Sequence, residues 1–226
     1  MEYENIKEAV FLSRPNRFIA EILVDGEKEI CHVKNTGRCR ELLTPMAKIY
    51  VEEFNKSTRK TKFDLIAVEK GERLINMDSQ APNKVVWEFL QSGDFIKNPT
   101  LIKPEQVFGD SRLDFYCETK NEKILIEVKG VTLEENGAAL FPDAPTIRGV
   151  KHLFELSKAI NEGYTCYAFF VIQMESISYF TPNYKTHREF GEALKSAQKA
   201  GVKLLAYDCE VTPHSLKIKS PVQISF

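Results

Sequence analysis

The sequence predicts a mixed α/β chain, α+β overall. A small all-β unit of five strands comes first, then a mixed sheet with helices on its faces. Three observations carry this. In the first 80 residues, short apolar or alternating runs recur with turn signals between them and little helical periodicity. Beyond residue 80, helical periods alternate with near-continuous apolar runs, the mark of strands buried on both faces. The final strand–helix–strand order implies a right-handed parallel crossover.

The chain has 226 residues, 43% of them hydrophobic and 28% charged, an ordinary globular composition with room for a core. We divide it into residues 1–80 and 81–226. No run approaches the roughly 20 apolar residues of a membrane helix, so no membrane partner is expected. The opening MEYENIKEAV is acidic and polar, unlike a secretory signal. Five cysteines at 31, 39, 117, 166 and 209 show no paired-ligand spacing, which reads as reduced thiols in a cytoplasm. The net charge of −1 gives no general attraction to a polyanion. Two acid-free clusters do: Lys34, Arg38 and Arg40, then Lys56, Arg59, Lys60 and Lys62. Nothing in the sequence reads for or against a homo-oligomer.

Element by element, Ala9–Ser13, Arg17–Val24 and Glu29–Lys34 read as strands, with Asp25-Gly26 as a hairpin turn. Arg38–Leu43 reads as one or two helical turns, stopped before Pro45. Lys48–Phe54 and Phe63–Glu69 complete five strands. Five strands with a helix between the third and fourth match an OB-like barrel, an architecture that often binds nucleic acid. Polar Gly71–Pro82 reads as the connection. A helix follows over Asn83–Ser92, with Asn83 as N-cap and Gly93 as its stop. After a proline-interrupted stretch, Leu101–Phe108, comes a hairpin, Arg112–Glu118 and Lys123–Lys129. Ile147–Glu162 reads as a helix with Val150, Leu153, Phe154 and Ile160 inward, ended by Gly163. Thr165–Gln173 is a buried strand. Thr186–Ala200 is a helix with a Thr186/Glu189 capping box and a Phe190, Leu194, Ala197 stripe. Val202–Tyr207 is a second buried strand.

The hairpin carries the chemistry. With its turn at Lys120-Asn121, Asp114 lies opposite Glu127 and Arg112 opposite Lys129. Leu113, Phe115 and Cys117 line up with Ile124, Ile126 and Val128 on one face, and the acids collect on the other. Opposed Cβ atoms start roughly 5 Å apart, so two carboxylates there repel unless a cation sits between them. A divalent ion such as Mg²⁺ (or Mn²⁺) is the usual solution. It polarises a phosphoryl oxygen and lowers the pKa of a bound water. Lys129, two residues from Glu127, projects from the same face. Glu88, on the preceding helix, is a candidate third acid.

Glu-x-Lys alone is more often a solvated pair. With an acid opposite, an apolar reverse face and αβββαβ order, the last 140 or so residues resemble the PD-(D/E)xK nuclease fold, although Arg112-Leu113 stands where a proline usually precedes the first acid. A narrower resemblance rests on longer blocks: His32-Val33-Lys34-Asn35-Thr36-Gly37-Arg38, Arg112-Leu113-Asp114-Phe115, and Glu127-Val128-Lys129-Gly130-Val131-Thr132-Leu133. Phe141-Pro142-Asp143-Ala144-Pro145-Thr146 and Arg148-Gly149-Val150-Lys151-His152-Leu153 extend it. These are similar to the sugar fermentation stimulation protein A family. The resemblance implies an OB-like N-terminal domain, a nuclease-like C-terminal domain and DNA binding, and the family is named for a regulatory role in sugar (maltose) metabolism.

Other residues admit two readings each. Asn35-Thr36-Gly37-Arg38 is a turn whose glycine lets backbone N–H groups approach a phosphate, with Lys34, Arg38 and Arg40 beside it; alone it reads equally as a capped turn. Asp143, in a proline-pinned loop, is either an additional metal ligand or a loop residue. Arg148, Lys151 and His152 crowd a helix N-terminus, where positive charge is unfavourable by a few tenths of a kcal/mol. A phosphate would offset that cost; the plain alternative is a solvated turn with Lys151 paired to Glu155. Tyr116 reads as a rim residue and Trp87 as core. The expected function is DNA binding (RNA the competing polymer) with Mg²⁺-dependent phosphodiester hydrolysis by Asp114, Glu127 and Lys129. The alternatives are a non-catalytic DNA-binding regulator with a silent nuclease fold and a metal-dependent enzyme acting on a small phosphate ester.

Overall fold

A computed structural model describes residues 1–35, 37–55 and 59–226. Thr36 and Lys56, both named above, lie outside the described residues. The first five strands are β1 (Ile6–Asn16), β2 (Ile19–Val24), β3 (Glu27–His32), β4 (Lys48–Glu53) and β5 (Phe63–Lys70). They run β3-β2-β1-β4-β5, and β3 closes on β5 through Cys31↔Phe63 and His32↔Asp64. That closure makes the OB-like barrel. Asp25 (φ 53°) and Gly26 (φ 86°) are both left-handed, as a two-residue hairpin turn matching strand twist requires.

Three expectations in this half need correction. Arg38–Leu43 is a turn, not a helix, with Leu42 and Leu43 N–H both reaching the Cys39 carbonyl. Cys39 is left-handed (φ 45°), and Arg14 draws the carbonyls of Asn35, Gly37 and Arg38 outward, so no helix propagates there. The polar connection contains a short strand, β6 (Arg73–Asn76), paired to β5. Four residues with one alternation give too little period to read. Lys34 is not a free surface cation, as described below.

The second half runs α1 (Ala81–Gln91), β7 (Leu101–Phe108), β8 (Ser111–Glu118), β9 (Lys123–Val131), β10 (Leu133–Glu135), β11 (Ala138–Phe141), α2 (Ile147–Asn161), β12 (Thr165–Ile172), β13 (Tyr179–Pro182), α3 (Arg188–Lys199), β14 (Lys203–Thr212) and β15 (Ser215–Pro221). The main sheet is ordered β15-β14-β12-β9-β8-β7, and β10, β11 and β13 form a small third sheet. β12 is parallel to β9 and β14; the outer pairs are antiparallel. The αβββαβ order is present. Apolar residues of α1 pack on one face of the sheet, while those of α2 and α3 join a core continuous with the barrel interior.

The proline-interrupted stretch is the edge strand β7, where Pro104 loses no ladder bond that a central strand would need. α1 begins before Asn83: its N-cap is Gln80, and Pro82 presets the first turn. α3 lacks the Thr186/Glu189 capping box. Its N-cap is His187, and the Asn183 side chain takes the Thr186 N–H instead. α2 is rotated from the expected stripe. Phe154 is 53% exposed and Val150 only half-buried, whereas His152 and Glu155 are buried beside Leu153 and Leu156. Two polar residues occupy the inward face, so an apolar count misplaces it.

Candidate functional site

Between β8 and β9 the ladder runs Glu118↔Lys123, Cys117↔Ile124, Tyr116↔Leu125 and Phe115↔Ile126, the register that sets residue 114 against 127. The turn has no Asn-Gly, but the Thr119 hydroxyl accepts the N–H groups of Asn121 and Glu122 and holds it closed. The ladder stops one rung short of the acids. There the Asp114 carboxylate, rather than a backbone carbonyl, takes the Val128 N–H at 2.7 Å. Its other oxygen accepts from Asn83 Nδ2 at 2.9 Å. Asn83 is therefore not a cap; it ties α1 to Asp114. Burial, and next the negative charge of Glu127, push the Asp114 carboxyl above its ordinary value.

The alternation puts Glu127 on the polar face of the hairpin. It lies beneath α2 and is 2% exposed. Its Oε1 accepts from both Lys129 Nζ and His152 Nδ1. His152 Nε2 in turn faces Arg148 Nε at 3.2 Å. A guanidinium only donates, so Nε2 is the accepting nitrogen and the ring proton sits on Nδ1, pointing at Glu127. Burial works to raise the Glu127 pKa; the His152 hydrogen bond and the Lys129 ammonium outweigh it and hold the carboxyl below its usual range. Among the described residues, Glu127 Oε2 is buried with no hydrogen-bond partner. Glu155, the next inward acid on α2, also leaves Oε2 unpartnered while its Oε1 pairs with Lys158, not Lys151. Among the described residues, no three His, Cys, Asp or Glu side chains converge as a metal-holding group.

The remaining candidates are scattered around this point. Glu88 pairs with the N-terminal amine at 2.7 Å. Lys34 is half-buried against the buried Asp78 (3.1 Å) and Asp64 (3.4 Å). Arg38 and Arg40 are exposed. Lys151 donates to the Asp110 carbonyl, and Tyr116 to Glu118. Trp87 is half-buried against Phe115. Asp143 crosses to the barrel loop: its Oδ2 lies 2.1 Å from where a Cβ on Gly37 would sit, so only glycine permits the approach. Asn35 Oδ1 accepts the Gly37 N–H at 2.8 Å. Sequence reasoning missed Arg14, whose guanidinium gathers four carbonyls from Arg17 and the Asn35–Arg38 loop. It also missed the contact of Asn83. A lone Arg in a strand carries no signal of such a role, and Asn83 showed only its capping chemistry.

Two family models match the chain: the SfsA N-terminal OB domain over residues 12–77, and the Sugar fermentation stimulation protein RE domain over residues 80–215. A Sugar fermentation stimulation protein homolog of Desulfitobacterium hafniense (strain Y51) is 62% identical over 217 residues, covering 96% of this chain and 95% of its own. That of Ruminiclostridium cellulolyticum is 55% identical over 224 residues, covering 99% of each. The solved structure of Pyrococcus furiosus SfsA in complex with Ca²⁺ superposes with a TM-score of 0.87 at 27% identity, over 100% of this chain and 98% of that one. Both halves of the sequence, and the fold that joins them, thus belong to the sugar fermentation stimulation protein family.

Proposed function

We propose that the protein binds nucleic acid, DNA first, and hydrolyses its phosphodiester bonds with a divalent cation, Mg²⁺ or Mn²⁺, held by Asp114 and Glu127. One observation carries the reading: Glu127 has one oxygen locked by Lys129 and His152 and the other buried with no partner among the described residues. A buried carboxylate oxygen normally finds a donor. An orphaned one, across the hairpin from a second carboxylate, fits a hard cation. The relative solved with Ca²⁺ supports the same class of ion. When bound, such an ion supplies Lewis-acid stabilisation of charge on a phosphate.

The chain's own residues do the rest. His152 and Lys129 fix the Glu127 rotamer and leave Oε2 as its free oxygen. Asn83 and the Val128 N–H fix Asp114. Lys129 Nζ holds positive charge beside the site, where a phosphate would receive it. Exposed Arg38 and Arg40 give the barrel side its contacts to a polyanion. The five free, buried cysteines suit a reducing cytoplasm.

The second reading, a DNA-binding regulator of sugar metabolism with a silent site, draws on one fact: no third His, Cys, Asp or Glu joins the pair among the described residues. Digestion of DNA and RNA with Mg²⁺ or Mn²⁺ separates the two. The first reading expects cleavage by wild type that falls more than about 100-fold in Asp114→Ala and Lys129→Ala, with binding retained. Salt-sensitive binding without cleavage would establish the silent module. Cleavage that survives both substitutions would remove this site from the chemistry.

A further inference from the structure

A cavity of about 120 Å³ opens between the barrel loop and the end of β9. Its wall includes Asn35, Thr132, Leu140, Phe141, Asp143 and Gln173. It begins at Gly130, one residue beyond Lys129 in β9. Thr132 is 93% buried, yet its hydroxyl forms no hydrogen bond among the described residues. Gln173 spends its amide N–H groups on Asn76 and Asp78, and its Oε1 is turned towards Gly130. Asn35 has Oδ1 engaged by Gly37 and its amide end uncommitted among the described residues. Phe141, half-buried, lines the wall, its ring packed against Phe170 and Phe190.

We propose that this cavity receives one nucleobase turned out of the bound strand, its N–H edge read by the Asp143 carboxylate and the Thr132 hydroxyl. The idea rests on the nucleic-acid reading above. Size limits what enters: a cavity of roughly 150 Å³ takes a benzene ring, so about 120 Å³, open to solvent on one side, admits the six-membered ring of a base, a pyrimidine or the leading edge of a purine, and not a whole purine. Chemistry narrows it. The Asp143 charge opposes a phosphate, a lone acid is a poor cation cage, and an apolar guest would leave Thr132, Gln173 and Asn35 unpaired. A base offers N–H donors to the carboxylate and an apolar ring face to the wall that Leu140 and Phe141 line. Phosphates on either side would meet Arg38 and Arg40.

The test uses oligonucleotides carrying 2-aminopurine at successive positions, bound to the full-length protein without added metal. In wild type the emission at one position should change severalfold. Thr132→Val, which exchanges the hydroxyl for a methyl of similar size, and Leu140→Trp, which fills the space, should abolish that change, with overall affinity by anisotropy falling about 2- to 10-fold. Bound oligonucleotide with no responsive position, or an unaltered response in Leu140→Trp, overturns the proposal and leaves the nucleic-acid reading standing. Free guanosine, adenosine, cytidine and thymidine, followed by saturation-transfer NMR against wild type and Thr132→Val, form a second arm. Loss of nucleoside contact in Thr132→Val supports the pocket even if no oligonucleotide binds, which would sink the wider reading alone. Equal or absent contact in both proteins counts against the pocket.

Discussion

Two buried polar clusters lie on either side of the boundary between the barrel and the main sheet, and they are built to opposite rules. Around Lys34, every charge is answered. Its ammonium meets Asp64 and Asp78; Asp78 also takes the Tyr3 hydroxyl and the Gln80 N–H, and Gln173 closes the ring through Asn76. Around Glu127, the chain of Arg148, His152 and Lys129 converges on one oxygen and leaves the other with nothing. A closed cluster spends its charge on holding two units together. An open one keeps a valence in reserve at the cost of desolvating it. Residue type does not distinguish them, since each combines acids with a lysine. Satisfaction does.

If the closed cluster is structural, breaking it should cost the most. Lys34→Met leaves Asp78, which is fully buried, without its cation, and stability to urea should drop by about 3–5 kcal/mol. A change below about 1 kcal/mol would mean that the cluster is not needed for the fold. Glu134 offers a smaller version. It pairs with Lys70 (2.8 Å) and Arg73 (2.8 Å) and accepts the Gly137 N–H. Burial raises its pKa, but Lys70 and that N–H outweigh it, so the folded value lies below 4.5. A depressed carboxyl adds stability above its unfolded pKa and loses it as pH falls through the folded one. Glu134→Gln should therefore lose about 1.5–3 kcal/mol at pH 7 and show less acid sensitivity below pH 4.5 than wild type. Parallel acid curves for the two proteins would contradict this.

The open cluster should show its effect in binding rather than folding. His152→Leu removes the group that turns Glu127, and Mn²⁺ affinity by titration calorimetry should fall about 10- to 100-fold. Unchanged affinity would make His152 a packing residue. Smallest is the surface term. Arg38→Ala and Arg40→Ala should each reduce the salt slope of DNA binding by about 1, with little change in melting temperature. An unchanged slope would move the DNA path elsewhere.

Much of this was legible beforehand because it depends on short-range pattern. Period-two alternation set the register that faces 114 towards 127, and Asp25-Gly26 declared its turn. The strand count of the barrel followed from spacing alone. What escaped reading was the partner of each polar group. Arg14 looks like any strand arginine until four carbonyls point at it. Asn83 advertised a cap and instead binds Asp114. His152 sat among basic residues and read as a phosphate contact or part of a solvated turn, yet it is buried on Glu127.

The sequence by itself determined the order of elements, the hairpin register and the presence of two acids and a lysine near one point, because local periodicity and turn chemistry act within a few residues. Only the tertiary structure decided which lysine is spent and which acid is left open. Lys34 meets Asp78 across 44 positions and Glu127 meets His152 across 25, and such pairings exist only once burial removes water as the competing partner.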